Sequence, residues 1–526
     1  MKIIKINILI ISTILFVSCT GDLDQYPHTQ TTSADVYTTA ANYKAVLGKL
    51  YASFVIAGQE KGGGNADLSS NSGYDYMRCY FNLQESGTDE IASTWLEGDK
   101  VRDLTFLTWD ANDPWVSDMY YRIFYTISLC NEFLRNAGDE QIARFTESEQ
   151  SGIRQYRAEA RFLRALAYYH ALDLYRNIPF VTEADPVGAF IPPRYTADRV
   201  FAYIESELKA IDGDLADKAA GEYGRAPKTA AYALLAKLYL NAEVYTGQAR
   251  YTDCITYCNQ IIAAGYSLEP DYLKLFNADN DKRTNEIIFA FPVDAVRTVS
   301  WGATTYIVCG AVSNTSDLQK PENYGVTSGW GMFRVRGEIP ALFDDRDGRA
   351  LFFTEGQTQY LDVIDNQTNG YFVEKWTNLT DAGTMASNTV DGGVNTDYPV
   401  FRLADVYLML AESVVRGGSG SSASVALGYL NQLRARAFGT DYETAGKLTE
   451  ADLTADFILD ERARELYWEC TRRTDLIRYN QFTTADYLWQ WKGGTKDGMA
   501  VNEKYNYYPI PTSDLTANPN LKNDNY

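Results

Sequence analysis

Two histidines, His28 and His170, are the only imidazoles in this chain. Any mechanism that needs a neutral general base or a nitrogen metal ligand near pH 7 would have to be built on one of them. Neither setting invites it. His28 lies in a polar segment near the N-terminus, and His170 falls in a run dense in Ala, Leu and Tyr, where it reads as a core side chain. Acids are plentiful, and paired carboxylates are the machinery of glycosidic cleavage. Asp89 with Glu90, and Glu461 with Glu465, are the pairs that spacing offers. The second pair stands among Arg462, Arg464, Arg472, Arg473 and Asp475, and opposite charges three or four apart on one helix read as surface ion pairs. Beyond Cys19, the cysteines Cys79, Cys130, Cys254, Cys258, Cys309 and Cys470 lack the paired spacing of a zinc site. Cys254 and Cys258 sit one helical turn apart, as packed neighbours and not as a disulfide. The residues therefore predict no catalytic group, no metal and no cofactor.

What the chain has in quantity is aromatic surface, with 9 Trp and 39 Tyr. Flat side chains with few rotatable bonds suit the C–H faces of sugar rings. Most of these rings must nevertheless be core, since Tyr168, Tyr169, Tyr232 and Tyr239 fall on helical segments. A balance of 48 basic against 69 acidic residues, net −21, argues against nucleic acid and anionic lipid surfaces as partners.

The N-terminus carries Lys2 and Lys5, an apolar run from Ile8 to Val17, and Ser18 directly before Cys19. The run is too short to span a bilayer and reads as a cleaved export signal over residues 1–18. With Leu15 and Phe16 upstream, the site resembles the lipobox of bacterial lipoproteins, in which the mature chain starts at an acylated Cys. Cys19 would then be the lipid anchor and the only attachment to the membrane. Asp22 and Asp24 resemble a signal for export to the outer face of the outer membrane.

Behind this leader the apolar spacing predicts a mainly α fold. Helices are expected at Trp115–Arg135, Ser151–Arg176, Ala197–Leu215, from Thr229 through Leu240, Tyr251–Ala264, Ala404–Val415, Ser422–Ala437 and Ala455–Tyr479. Ala residues at helical spacing from Thr229 onward allow close helix contact. The paired helices resemble tetratricopeptide repeats, in which no pair can bury its own apolar face without a neighbour. The repeats are placed at about 115–265 and 404–480 of a single unit, 19–526. Irregular, loop-rich regions with few short strands are placed at about 60–110 and 283–396, and loops on a rigid scaffold are a common seat of binding.

Several segments together resemble the SusD/RagB family of outer-membrane nutrient-binding lipoproteins. They are Arg157–Phe180, Thr229–Val244, Glu286–Phe289 ahead of Pro292, Gly329-Trp330-Gly331 ahead of Leu342-Phe343-Asp344, Glu461-Arg462 through Asp475–Arg478, and Tyr508-Pro509-Ile510-Pro511 with Asn518–Leu521. Cys470 stands where the family usually has Gly. The resemblance is strongest to the starch-binding branch, and it implies a malto-oligosaccharide or starch-like ligand on an aromatic arc. Trp95 falls on an arc Trp, Arg78 on a hydroxyl-binding Arg, and Tyr306 and Trp330 on the other two arc aromatics. Gly98 and Ser70 stand where an Asn and an Asp are expected, so two polar contacts do not carry over. The resemblance further implies a TonB-dependent SusC-like transporter as partner, with this protein as its extracellular lid and not an enzyme. A RagB-like peptide-binding lid, a glycoside hydrolase using Asp89 and Glu90, and a bare protein-binding repeat scaffold are the rival readings.

Overall fold

The two longest helices begin where the sequence supplies a cap. The structure is a computed structural model that describes residues 33–60, 65–68, 74–315, 317–386 and 393–526. Cys19, His28 and Ser70 lie outside the described residues. Asp113 accepts the amides of Trp115 and Val116 ahead of Pro114, starting the helix Pro114–Asn136. Thr146 and Glu149 form a reciprocal capping box at the head of Glu147–Tyr175.

The scaffold is a chain of helices, each packed on the next. Pro114–Asn136 lies on Glu147–Tyr175, which lies on Ala197–Ala210. Lys228–Leu240 packs on Tyr251–Ala263, which packs on Leu403–Val415 and through it on Ala423–Phe438. Lys228–Leu240 is apolar on nearly every face because it also touches the two flanking layers, and its Ala230, Ala233 and Ala236 are buried. Tyr168, Tyr169 and Tyr239 are core residues, as their helical positions imply, and Tyr232 is half-buried. Cys254 and Cys258 share a helix with their sulfurs in contact at 4.0 Å and no disulfide between them, and all six described cysteines are buried outside any disulfide.

Three expectations need correction. Ala455–Tyr479 is not one helix: it stops at Leu466, and Arg472–Arg478 forms a second. Between them Trp468 and Cys470 take left-handed backbone angles, φ +62° and +58°. The turn is fixed from outside, because the Trp468 amide donates to Glu90 and the Cys470 amide to Glu85, both at 2.6 Å. The region about 60–110 is not wholly irregular, since Tyr76–Glu85 is a helix with all ten residues buried. The helix is short, and its polar residues Arg78, Asn82, Gln84 and Glu85 are as buried as its apolar ones, so residue type does not announce the burial. Finally, the charged helix does not carry surface ion pairs. Glu461 and Glu465 are fully buried, where Arg349 meets both at 2.9 Å, Arg402 meets Glu465 at 2.7 Å, and Arg402 and Lys375 meet Glu469 at 2.6 Å. This network joins the scaffold to strand residue Arg402 and to Arg349 and Lys375 of the irregular region.

The strands are short and antiparallel: Ala92–Ser93 with Phe333–Arg334, Ile178–Pro179 with Arg194–Tyr195, Ile287–Phe291 with Tyr398–Arg402, and Phe352–Phe353 with Phe372–Val373. The first pair has the largest consequence, because Trp95 and Trp330 lie just beyond its ends. Among the described residues no helix is long and apolar enough to cross a membrane.

Candidate functional site

Three indoles reach the surface around one buried polar cluster. The pairing of Ala92 with Arg334 and Ser93 with Phe333 brings the Trp95 segment beside the Trp330 segment. The Thr94 amide extends the ladder to the Met332 carbonyl at 2.8 Å. Trp330 is itself held from behind, its amide on the Cys309 carbonyl at 2.8 Å and that of Gly331 on Val312 at 2.7 Å. These contacts explain the Gly-Trp-Gly sequence. A β-carbon on Gly329 would stand 2.2 Å from the Ser313 carbonyl oxygen, and Gly331 has φ +62°.

Trp95 is 38% exposed and Trp330 is half-buried. Beside Trp330, with ring centres 6.2 Å apart and planes tilted by 52°, lies Trp301, which is 42% exposed. Sequence reasoning missed Trp301. The signal available was a lone Trp next to Gly302, but nothing local distinguishes an exposed loop indole from a buried one. Gly302 is required there, because a β-carbon would fall 1.8 Å from the Asp75 carboxylate. That carboxylate caps the Tyr76–Glu85 helix at the Arg78 amide, accepts the Ser300 hydroxyl and accepts the Ala303 amide at 3.2 Å. Asp75 thus fastens the Trp301 loop to the helix that carries Arg78.

Arg78 and Tyr306 lie under this surface and not on it, which differs from the arc expected of them. Arg78 is 3% exposed, and its guanidinium sits between the rings of Tyr74, at 3.5 Å, and Tyr306, at 4.0 Å. Nη1 donates to the Trp301 carbonyl and Nη2 to Asp99, both at 2.6 Å. Tyr306 has no exposed area, and its hydroxyl donates to Asp99 at 2.7 Å and Asn82 at 3.0 Å. Its ring supports Trp330 at 6.3 Å and crosses Phe333 edge-on at 4.9 Å. Asp99 closes the turn that begins at Trp95, its amide on the Trp95 carbonyl at 2.9 Å. The Asp99 carbonyl in turn accepts Trp115 Nε1 at 2.7 Å. One buried triad, Arg78–Asp99–Tyr306, therefore meets the Trp301 carbonyl, the Trp330 ring and the backbone turn that opens at Trp95.

The acids and the histidine sit elsewhere. Asp89 is fully buried in a two-point pair with Arg472, at 2.8 and 2.6 Å. Burial, with Asp89 alongside, pushes Glu90 up to about 8 despite the nearby Arg472. His170 is buried with Nδ1 2.7 Å from the Tyr76 hydroxyl and its ring on Tyr80, and burial lowers it to about 3. Among the described residues no group of three or more His, Cys, Asp or Glu side chains is arranged to hold a metal ion.

The helical scaffold is that of SusD-superfamily proteins, and the chain belongs to the SusD family. It is 33% identical to the starch-binding protein SusD of Bacteroides thetaiotaomicron, over 97% of this chain and 96% of that one. SusD-like protein P25 of Formosa agariphila is 28% identical over 80% of each chain. The SusD family profile matches residues 353–526, and a profile described as starch-binding associating with outer membrane matches 32–240. The fold is that of surface glycan-binding protein A from B. thetaiotaomicron, solved with laminarihexaose, at TM-score 0.70, 18% identity and coverage of 93% of this chain and all of that one. A SusD superfamily protein from Parabacteroides distasonis matches at TM-score 0.70, 21% identity and coverage of 94% and 100%.

Proposed function

We propose that the protein captures a starch-like malto-oligosaccharide on the surface formed by Trp95, Trp301 and Trp330, performs no chemistry on it, and delivers it to a TonB-dependent SusC-like transporter. Cys19 would anchor the chain to the outer face of the outer membrane. The observation that carries the reading is the presence of three solvent-reaching indoles on segments tied to one buried polar cluster, two of them more than a third exposed. Isolated exposed aromatics are ordinary, but a group braced from below is a preorganised apolar platform. Similarity to a starch-binding relative supports the choice of an α-glucan. Interior placement of Asp89 and Glu90 supports binding over cleavage, because a general acid must reach the glycosidic oxygen.

Isothermal calorimetry with maltoheptaose, laminarihexaose and a mixed peptide pool separates the ligand classes. Maltoheptaose is expected to bind, and binding is expected to vanish in the Trp95→Ala, Trp330→Ala double variant. Full affinity in that variant, or preference for the peptides, would refute the reading. Membrane attachment tolerates a weak individual contact, since it keeps lid and transporter at high effective concentration. Two further checks apply: loss of palmitate labelling on Cys19→Ala, and recovery of a barrel transporter with the tagged protein from native membranes.

A further inference from the structure

Arg78 has the residue type and sequence position of a side chain that would meet sugar hydroxyls, yet it is spent inside the protein. Its guanidinium is enclosed by the Tyr74 and Tyr306 rings, one terminal nitrogen is on the Trp301 carbonyl, and the other is on the Asp99 carboxylate. A planar guanidinium can hold these two acceptors in fixed relative positions while lying flat between two rings. A Lys ammonium of similar reach cannot do both. The Trp301 carbonyl belongs to the residue whose indole lies beside Trp330, and Asp99 belongs to the turn that opens at Trp95.

We infer that Arg78 is a positioning residue: it sets the place of the Trp301 indole from beneath and couples it, through Asp99, to the Trp95 turn, and it does not contact the glycan. This rests on the glycan-surface reading above but makes a separate claim about the ligand-free protein. A charged group bonded to a loop carbonyl and stacked between two aromatics fixes backbone more firmly than apolar packing would, because breaking it leaves a buried charge without its partners. The loop has its own local ties through Asp75, yet those fix Ser300 and Ala303 on either side and leave the Trp301 peptide oxygen to Arg78.

The test uses the full mature chain labelled with 5-fluorotryptophan, in which nine Trp give nine resonances. Trp301 is assigned by its loss in Trp301→Phe. In ligand-free Arg78→Lys the Trp301 resonance is expected to shift and broaden, while that of Trp489, buried far along the chain, stays in place. An unmoved Trp301 resonance would overturn the inference. With maltoheptaose as probe, Arg78→Lys and Trp301→Ala are each expected to weaken binding by about tenfold, as loss of a stacked ring does. The double variant is expected to bind no worse than Trp301→Ala alone. Multiplying losses, about a hundredfold together, would mean that Arg78 serves binding by a route other than the Trp301 indole and would sink the proposal. Should Arg78→Lys fail to fold, Asp99→Asn, of equal size, is expected to move the same Trp301 resonance in the same direction, and no movement counts against it. If the unaltered protein ignores maltoheptaose, the ligand assignment fails while the resonance experiment still decides the role of Arg78.

Discussion

The Thr94 hydroxyl donates to the Gly331 carbonyl at 2.7 Å, so the residue before Trp95 is bonded to the residue after Trp330. Two segments more than two hundred residues apart in sequence are thereby held side by side. Thr94→Val removes the bond while keeping the shape. A neutral hydrogen bond contributes about 1 kcal/mol, so stability should fall by about that amount and maltoheptaose affinity severalfold. Calorimetry that finds the affinity unchanged would separate the two indoles functionally.

Gly329 permits the backbone contact that seats Trp330. In Gly329→Ala the new methyl meets the carbonyls of Val312 and Ser313 at 2.4 and 2.2 Å, backbone atoms that cannot rotate away. The variant is expected to lose about 2–3 kcal/mol of stability in urea unfolding and to bind maltoheptaose far more weakly. Gly428→Ala, on an open helix surface, serves as the matched control and should not destabilise.

Glu85 and Glu90 form a buried pair of carboxyls, and burial, reinforced by their mutual repulsion for Glu85, raises both, Glu90 to about 8. A folded-state acid that holds its proton more tightly than the unfolded chain contributes fully below the ordinary carboxylate value. Its contribution is lost as pH rises through the folded value. Stability should therefore decline between about pH 4.5 and about pH 8 from this pair, and Glu85→Gln should flatten that limb. A stability profile identical in the two proteins over that range would contradict the assignment.

The Arg–carboxylate network titrates in the opposite sense. Burial pushes the Glu461 carboxyl up, but Arg349, Arg464 and Arg434 outweigh it and hold it at about 2. Its stabilising contribution is present above the ordinary carboxylate range and disappears as the pH falls toward 2. Glu465→Gln breaks contacts to Arg349, Arg402 and Arg436 and should cost about 3–5 kcal/mol, the range for unpairing a buried charge. Glu443→Gln, from a solvent-exposed pair with Lys447, should leave stability almost unchanged. Equal effects in thermal unfolding would show that the network is not what ties the scaffold to the irregular region.

The scaffold was legible because its signals are local. Helices such as Pro114–Asn136 and Glu147–Tyr175 carry both caps and apolar spacing within a few turns, and Tyr251–Ala263 its apolar spacing. Where those signals fade, the reading fades too. Tyr76–Glu85 is short and buries its polar residues with its apolar ones, and the break at Trp468 and Cys470 is dictated by Glu85 and Glu90, nearly four hundred residues away.

By itself the sequence determined the helical class, the ordered segments that resemble the family and, through that resemblance, the indoles at 95 and 330 as candidates. Only the tertiary structure decided which aromatics see solvent: Trp301 is outward, while Tyr306 and Arg78 are beneath. It also turned expected surface ion pairs into an interior network. Residue type and period are written along one chain, whereas exposure is a property of whatever distant segment packs on top, and here that was settled by Asp75, Asp99 and two glycines.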